Sequence, residues 1–229
     1  MPKPSVTELD FSRKYDQGHS QQYLHKHQES VARRLSHWRD VQVARQALRL
    51  AGDPDLVLDL PCGAGRFWPM LAEQPNRVIF AADNSVDMLV TARSAQPPEV
   101  VARVNTFQTS AFAIDLSDNA VDCIFCIRLL HHIQSSVHRQ EILREFHRVS
   151  RDTVILSLWV DGNYKAWARR RLERRRAADG RAGQNQNRFV VARAVIEQEF
   201  QRAGFQILGH RDFLPGYAMW RTYILRKEV

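Results

Sequence analysis

Three cysteines in 229 residues are too few for a disulfide framework and suit a reduced compartment. Two of them, Cys123 and Cys126, stand three apart in an apolar run. Residues three apart on a strand point to opposite faces, so this pair neither closes a disulfide nor shares a metal. Two buried structural thiols are expected, and no metal site. Long apolar runs are also missing: Val154–Val160 is far too short to cross a bilayer. The first residues, Met1-Pro2-Lys3-Pro4-Ser5, contain no apolar signal core, which makes the cytoplasm the expected location, with a peripheral place at the inner face of the membrane as the variant. There is no internal repeat and no composition shift that marks a domain boundary. What the chain has is 44% apolar residues and enough length to bury one ample core. Residues 1–20 are polar and read as a loosely ordered arm, and 21–229 as a single domain.

Along that domain apolar strands alternate with amphipathic helices, the pattern of a doubly wound α/β sheet with helices on both faces. A helix is expected from about residue 21 to Leu50, with Val31 and Leu35 one turn apart and a second stripe at Val43, Ala44, Ala47 and Leu48. Gly52 and Pro54 end it. Strands are expected near 56–60, 78–82, 104–109, 121–127 and 153–159, and helices near 136–149 and 190–203. Two last strands, about 205–213 and 220–226, flank Leu214-Pro215-Gly216-Tyr217, a type II turn signal that predicts antiparallel pairing.

The most informative stretch is Val57-Leu58-Asp59-Leu60-Pro61-Cys62-Gly63-Ala64-Gly65-Arg66. A buried strand ends in an acid, breaks on a glycine turn and leads into a helix, an arrangement that lets a ligand approach bare backbone. The loop lacks the Gly-Lys-Ser/Thr of a triphosphate cradle, and Phe67 and Trp68 stand where a dinucleotide fingerprint would bring its third glycine. The remaining form, acid-x-x-x-Gly-x-Gly, resembles the first motif of the class I S-adenosylmethionine-dependent methyltransferases, with Pro61 in place of the first glycine. Proline fixes φ near −65°, so the backbone there must have negative φ and no bonded N–H.

Three further segments resemble that family, in its order. Val78–Asp83 is a second apolar run ending in an acid about twenty residues after the turn, where an acid accepts hydrogen bonds from ribose hydroxyls; the plain alternative is that Asp83 caps the following helix. Ser85 can cap that helix, and the family sets a hydrophobic residue against the adenine there, for which Asn84 and Met88 are nearest. Thr109-Ser110-Ala111-Phe112 followed by Leu116–Ile127 is similar to the family's adenine-contacting segment, with Ser110 where an acid is common and the Ala111 N–H in reach of a ring nitrogen. Arg128-Leu129-Leu130-His131-His132-Ile133 follows the fourth strand, close to the family's Leu-His-His signature.

The resemblance implies a Rossmann-like sheet of about seven strands, mostly parallel, with one antiparallel strand near the C-terminal edge. It implies S-adenosylmethionine as cofactor, S-adenosylhomocysteine as product, and Asp59, Gly63, Gly65, Asp83, Asn84, Met88, Ser110, Ala111 and Arg128 as cofactor-binding residues. Arg34-x-x-x-Trp38 is similar to a spacing in tRNA wobble-uridine methyltransferases and adds Arg34 for the cofactor's carboxylate. Tyr15, Tyr23 and His27 are candidates for closing over the acceptor, or ordinary surface residues. His131 is the candidate general base for a hydroxyl acceptor; alternatively both histidines cap the strand end or pack under the next helix.

The chain's net charge of +8 is concentrated in one place: residues 165–193 alone carry a net +8. This Arg-rich insertion, about 161–189, includes Arg169–Arg176 and a Gly/Gln/Asn stretch that reads as a flexible lid. It is either a solvated helix or a recruiting surface for an anionic partner: a phosphorylated metabolite, an anionic lipid or glycolipid surface, RNA, or a protein. The reading is methyl transfer to an anionic small molecule, lipid or envelope glycan of lipopolysaccharide type, on oxygen. The alternatives are a tRNA or RNA methyltransferase and a noncatalytic cofactor-binding partner subunit.

Overall fold

A computed structural model describes residues 31–178 and 187–228. The expected arm, Tyr15, Tyr23, His27 and most of the Gly/Gln/Asn stretch lie outside the described residues. Helix α1 (Val31–Leu50) leads into β1 (Leu56–Asp59), the short α2 (Trp68–Leu71), β2 (Val78–Asp83), α3 (Val86–Ala95), α4 (Pro98–Val101) and β3 (Val104–Gln108). There follow β4 (Val121–Cys126), α5 (Ser136–Val149), β5 (Ser150–Val160), α6 (Tyr164–Ala178), β6 (Val190–Val191), α7 (Arg193–Arg202), β7 (Phe205–Asp212) and β8 (Trp220–Lys227).

The strands form one sheet in the order β3-β2-β1-β4-β5-β8-β7, with β6 added beside the end of β5. Pairing is parallel from β3 to β5, and β8 alone runs against its neighbours. The resemblance implied this arrangement, down to the reversed strand beside the edge strand. The turn between β7 and β8 closes with a Tyr217 N–H bond to the Leu214 carbonyl (3.2 Å), and Gly216 takes φ +71°, as the Pro-Gly signal requires. At the end of α1, Gly52 (φ +85°) and Asp53 return N–H bonds to Arg49 and Leu48, a Schellman-type stop.

Period-two alternation sends neighbouring strand residues to different cores. Val57, Cys123 and Ile155 pack with α1, α2 and α3, while Leu58, Cys126 and Val154 pack on the other face with α5 and α7. Cys123 and Cys126 therefore lie on opposite faces, both buried and free. Among the described residues no group of His, Cys, Asp or Glu could hold a metal.

Two expectations shift. The helix expected from about 190 begins instead at Arg193, because the β-branched pair Val190-Val191 bonds to the edge that β5 exposes beyond the end of β4. Val31 and Leu35 are exposed, so only the second stripe of α1 is buried.

Candidate active site

In an open α/β sheet, ligands bind beyond the carboxyl ends of the strands, where the strand order reverses. Here the reversal falls between β1 and β4. An open cavity lies there, walled by residues that follow β1, β2, β3 and β4.

Its floor is the turn after β1. Leu60 donates its N–H to Phe125 and Cys62 to Ala82, stitching the turn to the strands on either side. Pro61 follows a cis peptide bond, and the left-handed residues are Gly63 (φ +54°) and Gly65 (φ +68°), so proline occupies a position that needs no positive φ. A Cβ on Gly65 would sit 2.8 Å from the Trp68 ring, which explains the glycine by close approach as well as by φ. The helix that begins here is a single turn, Trp68–Leu71, with no side-chain cap on Phe67. Ligand contact at this point therefore rests on the turn backbone, not on a long helix dipole as the strand-turn-helix pattern suggested.

Asp83 organises the wall. One carboxylate oxygen accepts the Gly63 N–H and the other the Ser85 N–H, each at 3.0 Å. The acid thus ties the glycine turn to the start of α3, whose first turn is capped by the Ser85 hydroxyl accepting from Met88 N–H (3.3 Å). Asp83 both faces the cavity and braces the helix entry. Burial pushes its carboxyl above the usual range, opposed by the N–H donors of Ser85, Gly63 and Asn84. Asp59 lies deeper, off the cavity surface, with burial and then the Asp83 charge holding it well above the ordinary carboxylate range.

Seven of the ten residues assigned to the cofactor line the cavity: Gly63, Asp83, Asn84, Met88, Ser110, Ala111 and Arg128. Asp59 and Gly65 stand behind its surface. The Ser110 hydroxyl accepts the Phe112 N–H (3.2 Å), which shapes the loop and uses a lone pair that an acid would have had to spare. Arg34 is solvent-exposed on α1 and does not line the cavity. The residue that α1 does send to the rim is Asp40, which pairs with both Arg66 and Arg128 (2.6 Å to the latter), while Arg66 Nε donates to His37 Nδ1. Arg128 is held at φ +68°, its N–H bonded to the Ser157 hydroxyl and its guanidinium 4.9 Å over the Trp220 ring. Arg66 could have been found from its place after Gly65. Asp40 had no periodic signal, since its role exists only once α1 is laid across the sheet.

The two histidines part company. His131 is buried between Trp159, Trp220 and His132, with ring centroids 5.3, 4.6 and 4.0 Å away, and its Nδ1 has no hydrogen-bond partner. It is off the cavity surface, in the packing role that was its alternative. His132 is on the wall, its Nδ1 2.7 Å from the Asn187 carbonyl. That bond puts the proton on Nδ1 and leaves Nε2 as the basic nitrogen.

Burial pushes His131 down to about 2, aided by the charges of His132, Arg188 and Arg128. The folded protein then binds one proton fewer than the unfolded chain between pH 6.5 and that value, so this residue's contribution is complete above pH 6.5 and is lost as pH falls below it. Thermal unfolding of His131→Phe against the parent should show the parent losing stability faster by about 1.4 kcal/mol per pH unit below pH 6. A difference that stays constant with pH would remove His131 from this account.

Comparisons with known proteins agree with this geometry. Residues 57–153 match the family described as "Methyltransferase domain". Two uncharacterized methyltransferases of Schizosaccharomyces pombe are similar, one 34% identical over 103 residues and one 29% over 100, each match covering 44% of this chain. The matched segments span 37% and 36% of those relatives, so the chain covers well under half of their length. Magnesium protoporphyrin IX methyltransferase from Synechocystis PCC 6803, solved with bound S-adenosylhomocysteine, superposes with a TM-score of 0.71 at 17% identity, covering 92% of this chain and 94% of that one. A methyltransferase of Haloferax volcanii solved with the Trm112 activator gives 0.63 at 12%, covering 97% and 100%. Motif order, sheet order and the domain match converge: residues 57–153 carry a methyltransferase domain, on a sheet like that of S-adenosylmethionine-dependent methyltransferases.

Proposed function

We propose that this protein transfers the methyl group of S-adenosylmethionine to oxygen on an anionic acceptor, a small molecule, lipid or envelope glycan of lipopolysaccharide type. The observation that carries the reading is the presence of a buried carboxylate, Asp83, and two guanidinium groups, Arg66 and Arg128, on the walls of one cavity. The residues fit the cofactor. Asp83 offers buried acceptor oxygens to a diol, Met88 an apolar surface to a base, and the guanidinium groups a bidentate partner to a carboxylate, in the role first given to Arg34. Bound there, the cofactor supplies a methyl already activated on a sulfonium, so the chain's task is alignment and exclusion of water. Two cations sharing the single carboxylate of Asp40 leave the rim net positive, which draws in an anionic acceptor.

His132 takes the hydroxyl proton in place of His131. Burial lowers its pKa, so Nε2 is unprotonated at neutral pH. His132→Ala should lower kcat about a hundredfold or more while leaving S-adenosylhomocysteine affinity unchanged. Unchanged turnover would show that the acceptor arrives already ionised. The reading as a whole is tested by supplying the purified chain with methyl-labelled cofactor and a cell extract, then partitioning the product. Label in the lipid or small-molecule phase supports it, and label confined to RNA overturns it.

A further inference from the structure

The basic element of the sequence does not present all its charges outward. Arg169 lies 5.1 Å over the Trp159 ring and pairs with Glu173, and Arg170 pairs with Asp161. What faces solvent is different in kind. Tyr164, Trp167 and Tyr217 are about half exposed, and Leu172 and Leu214 beside them are comparably open. These residues come from two segments, the start of α6 and the turn between β7 and β8. Backbone bonds lock the segments together: Tyr164 N–H to the Gly216 carbonyl (2.9 Å) and Lys165 N–H to the Tyr217 carbonyl (3.0 Å). The patch is therefore built, not a chance display on a loose helix.

We infer that this aromatic and basic patch docks the protein on an anionic phospholipid bilayer. Two observations choose a bilayer over RNA. First, at least one face of each ring is engaged: Tyr164 and Tyr217 stack at 5.7 Å and 9°, Lys165 lies over Tyr217 at 5.3 Å, and Arg171 over Trp167 at 5.7 Å. That leaves fewer faces for nucleobase stacking, whereas interfacial burial needs only ring edges and aliphatic groups, which the exposed Leu172 and Leu214 supply. Second, the exposed cations Lys165 and Arg171 lie over the rings of Tyr217 and Trp167, and the exposed Arg174 and Arg175 follow on the same helix, so the apolar tips can enter the headgroup region while the charges stay at phosphate level.

The helix that carries the patch is linked to the cavity wall: His132, on that wall, bonds to Asn187, and Arg169 of α6 bonds to the Arg188 carbonyl (2.9 Å). This inference does not depend on the methyl-transfer reading, because its test needs no cofactor.

The test is co-sedimentation of the full chain with vesicles of phosphatidylcholine alone and of phosphatidylcholine mixed with an equal part of phosphatidylglycerol. Binding is expected to the mixed vesicles and not to the neutral ones. Arg171→Glu, Arg174→Glu and Arg175→Glu together should weaken it about a hundredfold, and Trp167→Ala alone about tenfold. Circular dichroism checks that the variants fold. No sedimentation with the mixed vesicles, full binding by Trp167→Ala, or displacement of vesicles by tRNA at the same cations would each overturn the proposal.

Discussion

Asp83→Ala is expected to weaken binding of S-adenosylhomocysteine by a factor between about a hundred and ten thousand, measured by isothermal titration calorimetry. Two hydrogen bonds from sugar hydroxyls to a charged acceptor are worth about 1.5–3 kcal/mol each when their loss leaves buried groups unsatisfied. The substitution also releases the Gly63 N–H, which shapes the floor of the cavity. Stability of the unliganded protein should move little. Burial raises the Asp83 pKa, so the buried charge opposes folding at neutral pH, and its removal offsets the bonds lost to Gly63 and Ser85. Ligand-induced protection against heat should therefore disappear without a fall in the starting Tm. Asp83→Asn should lose less affinity, because an amide oxygen still accepts one bond. If Asp83→Ala bound S-adenosylhomocysteine like the parent, the cavity would not be the cofactor site.

Arg139→Ala should cause the largest loss of stability among single changes in the described chain, about 3–5 kcal/mol, seen as a Tm lower by about 10 °C. Arg139 on α5 and Glu199 on α7 form a buried bidentate pair at 2.8 and 2.6 Å, and both side chains are almost wholly buried. The Ser136 hydroxyl donates to the same carboxylate (2.6 Å), and the remaining Arg139 nitrogen holds the carbonyls of Ile133 and Gln134. Removing the arginine leaves a carboxylate buried with one hydroxyl for company, and it also loosens the segment that carries His132. Turnover should then fall with stability. The double change Arg139→Met with Glu199→Leu should recover most of the lost Tm, since an apolar pair replaces the ions without stranding one of them. If Arg139→Ala melted within a degree or two of the parent, the pair would contribute nothing.

The strands themselves were legible because short apolar runs ending in acids and glycine turns carry strong local signals. Asp59, Gly63, Gly65 and Asp83 could all be read from residues no more than a turn away. The α5 limits also followed directly, since Ser135 caps the helix and Ile142, Phe146 and Val149 recur at helical spacing. What could not be read depends on contacts across the fold. Asp40 meets Arg128 over 88 positions of chain, and no pattern along α1 marks it. The choice between His131 and His132 turned on which ring the 3₁₀ turn over Leu130–His132 rotates outward, and adjacent residues of the same type give no sequence cue. Likewise Arg169 and Arg170 looked equivalent to Arg171 until Trp159 took the first and Asp161 paired with the second.

The two-faced sheet has a further consequence. Val57 and Leu58 are covalent neighbours, yet one packs under α1 and the other under α5, with a layer of backbone between them. Their side chains share no partners, so damage to one core is not felt by the other except through the strand itself. The half that seats α1 also seats α2 and α3, so a change there reaches the glycine turn and the helix entry that Asp83 ties together. A change in the α5–α7 half reaches instead the segment that carries His132.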